Sequence, residues 1–344
     1  MWGVKLSQKE PFVYSIFGLQ YRDGEPSTEK ESMRSNFDAL ITAKATHIDR
    51  VIQEDAVTTN HGKTFVWLGY WKSRTEYLDW WMSQPVSHFW SSLPPNAGMW
   101  REVMMPDASR TQHGTNRPDQ IGLGTLGSRV SVADKSGYWG CYRQRMNAST
   151  SDRFATPLAK DLKPCPSIIL PPGQVSIHSE RVLLTHFPDN ICFVVEGQDH
   201  SEISPEEKEY WFQNFHESVE TWIKDLMSAE ADSGILDGRL CFDTESGAFG
   251  NSPISALNYN KKIQLFYFKD MRHMERIGRS NKGHAQLRDR FLAAYGPGGD
   301  MSAGKIGLWV ETTVLKAGEM ECEYVGCLEG TGWMAWAGRG SKIV

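Results

Sequence analysis

No stretch of this sequence approaches the ~20 consecutive apolar residues that a membrane-spanning helix requires. Its start, MWGVKLSQKEPF, lacks the basic segment followed by an apolar core that marks a secretory signal. Nor is there an excess of positive charge. Lys and Arg number 37 against 42 Asp and Glu, for a net charge of −5 and a pI near 6.1, which gives no electrostatic footprint for nucleic acid. Six cysteines (Cys141, Cys165, Cys192, Cys241, Cys322 and Cys327) are scattered without a C-x-x-C pair, which argues against a zinc or iron–sulfur site. The G-x-S-x-G elbow, the H-E-x-x-H pair and the P-loop Lys-Ser/Thr are missing as well, so hydrolase and nucleotide-binding readings have no motif behind them. The expectation is a reduced, cytoplasmic protein with no membrane and no nucleic-acid partner.

What is present is an ordinary globular composition with an unusual number of indoles. The 344 residues are 40% apolar and 23% charged, enough for a large core and, as a soft prior, about two domains. Of thirteen Trp, six fall between Trp67 and Trp100. Such a cluster either lines a flat apolar pocket or fills a core, and the core reading is the more ordinary one.

Residues 12–21 and 64–71 read as strands rich in aromatic and β-branched residues. A helix is expected from Ser27 or Thr28 to about Lys44, and another from Ser73 or Thr75 through Trp81. A strand follows near Trp100 to Met104. Residues 106–130, polar and Gly-rich, read as a long surface connection of the kind that covers or lines a site. Beyond it, GYWGCYR (137–143) reads as a short strand and the Pro-rich 156–175 as irregular chain. Asn190 to Glu196 is a further strand. A long helix is expected from Pro205 to about Ala229, with Ser204 as cap and Glu207 at the capping-box position. Leu240 to Phe242, 305–315 and 321–328 read as strands.

Two stretches repeat one plan. VWLGYWKSRTEYLDWW and IQLFYFKDMRHMERIG each pass from strand through aromatic-Lys into helix, with Trp71-Lys72 matching Phe268-Lys269. Two β-α-β type halves of this kind predict a duplicated ferredoxin-like α+β fold, its antiparallel sheets packed face to face or closed into a barrel. The halves are expected at 1–130 and 131–344, within one compact unit.

The stretch from Ile263 to Tyr295 organises the second half. An apolar strand leads into a helix from about Asp270 that stops near Gly278 and restarts after Asn281. Gly296-Pro297-Gly298-Gly299 then ends it. His284, Leu287, Phe291, Leu292 and Tyr295 share one helical stripe, so His284 faces inward. Taken alone, such a residue reads as a core histidine. A haem ligand needs little more than one imidazole on a rigid helix beside an apolar cavity, so the pattern permits a haem without showing one. Gly234 to Gly238, GILDG, fits the G-x-x-D-G pattern of dye-decolourising peroxidases, but in its polar setting it reads as a turn.

Four longer stretches, in order, carry a more specific signal: SGYWGCYRQRM (136–146), FPDNICFVVEGQDH (187–200), MERIGRSNKGHAQLRDRF (274–291) and LWVETTVLKAGEMECEYVGCLEGTG (308–332). Together they resemble the haem-containing aldoxime dehydratases, most closely the fungal phenylacetaldoxime dehydratase type, over about Phe12 to Gly332. The resemblance implies haem b, a duplicated ferredoxin-like barrel, often homodimeric, and conversion of an aldoxime, R–CH=N–OH, to a nitrile and water. It also implies that the substrate nitrogen binds the ferrous iron directly. The family's proximal histidine falls on His284. Its active-site arginine, in the G-Y-W-G-x-x-R-x-R segment, falls on Arg145.

Two positions depart from the bacterial pattern. Val310 stands where a distal histidine is expected, and Glu196 where a serine is expected. The proton shuttle is therefore open. Glu196 is the preferred substitute, because a carboxyl in an apolar pocket is protonated more easily. Alternatively it only orients Arg145 through an ion pair. Glu311 is the second candidate, although strand alternation turns it away from Val310. The alternative functions are a haem sensor or carrier, a haem peroxidase, and a cofactor-free barrel. The aromatic first half weakly favours an arylaliphatic or alkyl substrate.

Overall fold

The computed structural model describes residues 1–21, 27–54, 62–158, 176–229 and 231–337. Cys165 and most of the Pro-rich stretch fall outside them. Among these residues the strands are β1 (Trp2–Lys5), β2 (Val13–Tyr21), β3 (His47–Glu54), β4 (Lys63–Trp71), β5 (Met99–Met104), β6 (Thr111–Thr115) and β7 (Ser128–Ser131), then β8 (Arg181–Leu184), β9 (Cys192–Asp199), β10 (Ile235–Phe242), β11 (Lys261–Phe268), β12 (Gly307–Val314) and β13 (Met320–Val325). The helices are α1 (Thr28–Thr42), α2 (Arg74–Trp81), α3 (Gln84–Ser91), α4 (Cys141–Gln144), α5 (Pro205–Asn214), α6 (His216–Met227), α7 (Met271–Ser280), α8 (Lys282–Tyr295) and α9 (Met334–Ala337). None is long and apolar enough to cross a membrane among the described residues.

The duplication is visible in the connectivity. Residues 13–104 run β-α-β-β-α-α-β, with spatial order β3-β4-β2-β5. Residues 192–314 run β-α-α-β-β-α-α-β, with the matching order β10-β11-β9-β12. Each half thus has the ferredoxin-like order, and β3 and β10 join the halves into one antiparallel sheet through Cys241↔Gln53 and Phe242↔Ile52. The two strand-to-helix stretches matched in the sequence, β4 to α2 and β11 to α7, occupy equivalent places. The residue after each aromatic-Lys pair caps the helix: Ser73 accepts from the Glu76 N–H, and Asp270 from the His273 N–H.

The sheet rolls so that the halves face each other across one interior. Tyr14 of β2 packs edge-on against Phe193 of β9 at 5.4 Å. Inside, Glu102 of β5 accepts from Arg239 at 2.6 Å, from Tyr267 at 2.9 Å and from Tyr324 at 2.8 Å. Arg239 also meets Asp237 at 2.6 Å and lies over the Trp100 ring. Arg239 is 4% exposed, so removing Glu102 takes away one of its two carboxylates, and the acceptor of two tyrosine hydroxyls, where no water can replace it. Glu102→Ala is expected to cost on the order of 3 kcal/mol, read as a shift in the denaturant unfolding midpoint.

Several local expectations change. Residues 106–130 are not a surface connection: β6 is buried along its length, and its polar side chains are bonded across the sheet, Thr111 to Thr313 at 3.0 Å and Gln112 to Thr312 at 2.9 Å. GYWGCYR is not a strand but a loop running into α4, since Gly137 and Gly140 both take positive φ. The long helix breaks at Phe215, whose buried ring packs on Trp211 and Tyr295. Ser204 caps it, but the Glu207 carboxylate accepts from the Lys305 and Ile306 N–H groups instead of closing a capping box. The G-x-x-D-G segment enters β10 with a bulge between Ile235 and Asp237, so only Gly234 turns. β3 and α3 were not legible. The sequence HIDRVIQE hides a buried Asp49 whose charge is met by Lys261 at 2.6 Å.

Candidate functional site

The outer face of the second half's sheet and its helix layer enclose a cavity of about 350 Å³. One wall comes from β6, β12, β9 and β11. Their register sets Gly114 opposite Val310, Val310 opposite Glu196, and Glu196 opposite Gln264. Residues in register share a face, so these four form one row across the wall. The other wall comes from α6, α7 and α8, with Trp222, Ile277, His284, Leu287 and Phe291.

His284 is fixed from three directions. Its N–H donates to the Oδ1 of Asn281, the N-cap of α8, at 2.8 Å, and Asn281 in turn donates to Asp225 at 2.7 Å. Its ring stacks on Trp222 with centroids 4.1 Å apart and an interplanar angle of 23°. Its Nδ1 lies 2.9 Å from the Gly278 carbonyl. A carbonyl only accepts, so Nδ1 carries the proton and Nε2 holds the lone pair. Burial lowers the pKa of this imidazole. Nε2 has no hydrogen bond among the described residues, and the ring lines the cavity. An imidazole whose Nδ1–H is held by a carbonyl presents its Nε2 lone pair in a fixed direction, which suits it to hold a metal.

Arg145 lies at the sheet wall, anchored by the loop that precedes it. Nε donates to the Lys135 carbonyl at 2.9 Å, Nη2 to Ser136 at 2.9 Å and more weakly to Cys141 at 3.8 Å, and Nη1 to Gln112 at 3.0 Å. Four of its five N–H groups are thereby used, leaving one on Nη1. The approach depends on Gly114: a Cβ there would stand 2.4 Å from Nη1.

Glu196 turns its side chain into the same cavity, where burial pushes its carboxyl up to about 7. No ion pair joins Glu196 to Arg145 among the described residues, so the orienting ion pair has no support here. Glu311 points the other way, as alternation required. It accepts from Tyr14 at 3.0 Å, Tyr70 at 3.4 Å and the Leu123 N–H at 2.8 Å inside the rolled sheet, which removes it as a candidate for chemistry in the cavity.

The three residues singled out in the sequence thus line one cavity, and the residues around them fit a haem. Leu287, Phe291 and Leu292 on α8 line the cavity with apolar surface; Leu287 and Phe291 also pack against the Trp211 and Phe215 cluster, whereas Leu292 is 40% exposed. An available imidazole nitrogen on such a wall suits an axial iron ligand, and flat aromatic and aliphatic surface suits a porphyrin. Gln112, Gln264, Trp222 and Asn281 were missed. Asn281 had a cap signature in Asn-x-x-His, but the other three depend on cross-strand register and helix packing, which leave no local signal.

The indole cluster of the first half takes no part. Trp67, Trp71, Trp80 and Trp90 pack with Phe17 and Phe37 between the other ferredoxin-like sheet and its helices, which is the core reading. The aromatic rings at the cavity come from the second half and its preceding loop, among them Trp139, Trp222, Phe266, Phe291 and Trp309. The first half's composition therefore says nothing about substrate.

Known proteins share this fold and identify its family. Residues 15–333 match the haem-containing dehydratase family. A phenylacetaldoxime dehydratase of Bacillus sp. (strain OxB-1) is 24% identical over 94% of this chain and 87% of its own length. An aliphatic aldoxime dehydratase of Rhodococcus erythropolis is 24% identical over 94% and 86%. Among solved structures, an aldoxime dehydratase in complex with butyraldoxime superposes with a TM-score of 0.75 at 19% identity, covering 97% of this chain and 88% of that one. With a match spanning nearly its whole length, this chain belongs to the haem-containing dehydratase family.

Proposed function

We propose that the protein dehydrates an aldoxime, R–CH=N–OH, to a nitrile and water, with haem b held by His284. The observation that carries the reading is one cavity with an imidazole nitrogen available on the helical wall and, on the sheet wall, both a carboxyl of raised pKa and a guanidinium. The names of the relatives support the choice of substrate class. Homodimeric assembly, implied by the resemblance, and a cytoplasmic location, expected from the sequence, belong to the same reading.

Haem bound through His284 supplies a ferrous iron as the ligand point for the oxime nitrogen and as a source of electron density for weakening the N–O bond. The protein's own residues do the rest. Arg145 directs its remaining Nη1 N–H at the oxime oxygen and stabilises charge growing there; its fixed fork suits that task. Glu196, protonated below about pH 7, donates its proton to the departing hydroxyl. The resulting carboxylate then takes the proton from carbon as the C≡N bond forms. One proton leaves Glu196 and one returns, so the residue ends as it began and no net oxidation occurs. Val310 and the apolar wall exclude competing water.

The test is nitrile formation. Haem-loaded protein reduced with dithionite, kept anaerobic and given phenylacetaldoxime or butyraldoxime, should yield the matching nitrile by chromatography, with a change in the visible spectrum on adding the aldoxime. A haem-loaded protein that gives no nitrile above free haem would sink the assignment and favour a carrier or sensor. Oxidation of dyes with peroxide instead would favour a peroxidase.

A further inference from the structure

We propose that Arg288 is the cation that pairs with a carboxylate on the edge of the bound haem, which makes it a second cofactor-binding residue on α8; this rests on haem occupying the His284 cavity. His284 and Arg288 are four residues apart, so they share a face and are separated by about 6 Å along the axis. Both line the cavity.

The case is a matter of charge accounting. The guanidinium groups lining the cavity are those of Arg145 and Arg288. Arg145 has most of its donors bound to protein at the sheet wall. Arg288 is 24% exposed, at the margin where α8 meets the loop from Gly137 to Gly140. It lies 4.7 Å over the Trp139 ring, with Nη2 donating to the Gly137 carbonyl and Nη1 to Asp289 at 3.1 Å. Asp289 is 72% exposed, and a pair of that kind contributes little. Glu275, the other carboxylate at the cavity besides Glu196, is already held by Arg143 through two hydrogen bonds. The charge on Arg288 is therefore not answered from within the cavity.

Haem b carries two carboxylates on one edge of an otherwise apolar disc. Burying a carboxylate against Phe266, Met274 or Ile277 would be costly, whereas a carboxylate beside a partly exposed guanidinium keeps both a cation and water. The Trp139 ring holds the guanidinium plane in place for that contact.

The experiment compares haem with its dimethyl ester, which lacks the two charges. Arg288→Met keeps an apolar stem over Trp139 and removes the charge. The rate of haem transfer from the holoprotein to excess apomyoglobin should rise about 10- to 100-fold in the variant, the range for a hydrogen bond to a charged group. The ester should leave parent and variant at the same rate, and Arg288→Lys should recover part of the loss. Equal acceleration for haem and ester, or no acceleration with either, would overturn the proposal. A parent protein that takes up no haem would instead reject the haem reading itself, whereas a normal parent spectrum with an unaffected Arg288→Met rate rejects only the role of Arg288.

Discussion

His284→Ala protein, mixed with haemin and reduced, should lack the axially ligated haem spectrum of the parent, and haem should be lost on gel filtration. The effect is expected to be nearly all-or-none, because the available Nε2 on the helical wall is the ligand the geometry offers there. Ring orientation comes from the Gly278 carbonyl and the Trp222 stack, and backbone position from the Asn281 cap. The Asn281 cap bonds the backbone N–H and survives the substitution, so the helix start is kept and the variant should fold, with far-ultraviolet dichroism like the parent's. Added imidazole should restore part of the spectrum by filling the space left by the ring. An unchanged spectrum in the variant would return His284 to the role of an ordinary cavity-wall residue.

Glu196→Gln should lower turnover by orders of magnitude while leaving haem binding and its spectrum intact. Removal of a general acid costs roughly 10²- to 10⁴-fold. Glutamine nearly matches glutamate in size and keeps the row Gly114, Val310, Glu196, Gln264 undisturbed, so the loss would report proton transfer and not packing. The pH profile supplies a second reading. Burial raises the Glu196 carboxyl to about 7, so the donor form is lost and the parent's activity falls as pH rises through that value. The variant's residual activity should lack that limb.

The same shift bears on stability with a definite sign. The folded pKa lies above the unfolded one, so the protonated carboxyl's contribution is complete below about 4.5 and is lost as pH rises through about 7. Glu196→Gln should therefore gain stability relative to the parent on the alkaline side. Near-normal turnover in the variant would remove Glu196 from the mechanism.

Much of the framework was legible because its signals are local. A strand, an aromatic-Lys pair and a capped helix recur in both halves, and the caps Ser73 and Asp270 are read from neighbouring residues alone. Period-two alternation was enough to turn Glu311 away from the cavity, and three tyrosine and backbone donors receive it there. The errors fall where polar residues are buried. β6 reads as exposed chain because Thr111, Gln112 and His113 look like surface residues until β12 lies beside them.

Alternation, the helix stripe and the aromatic count can all be read along one chain, since each is a matter of spacing or composition. Which half opens the His284 cavity between its sheet and its helices depends on packing across the layers. Both halves build the same four-stranded order and cover one face with helices. In the first, indoles from β4, α2 and α3 meet Phe17 and Phe37 and fill the space between sheet and helices. In the second, the α8 stripe stands away from the sheet, and Glu196 and Arg145 face His284 across the gap. Large aromatic side chains can close a space or line one. Which they do depends on the separation of two layers, a distance no local pattern encodes.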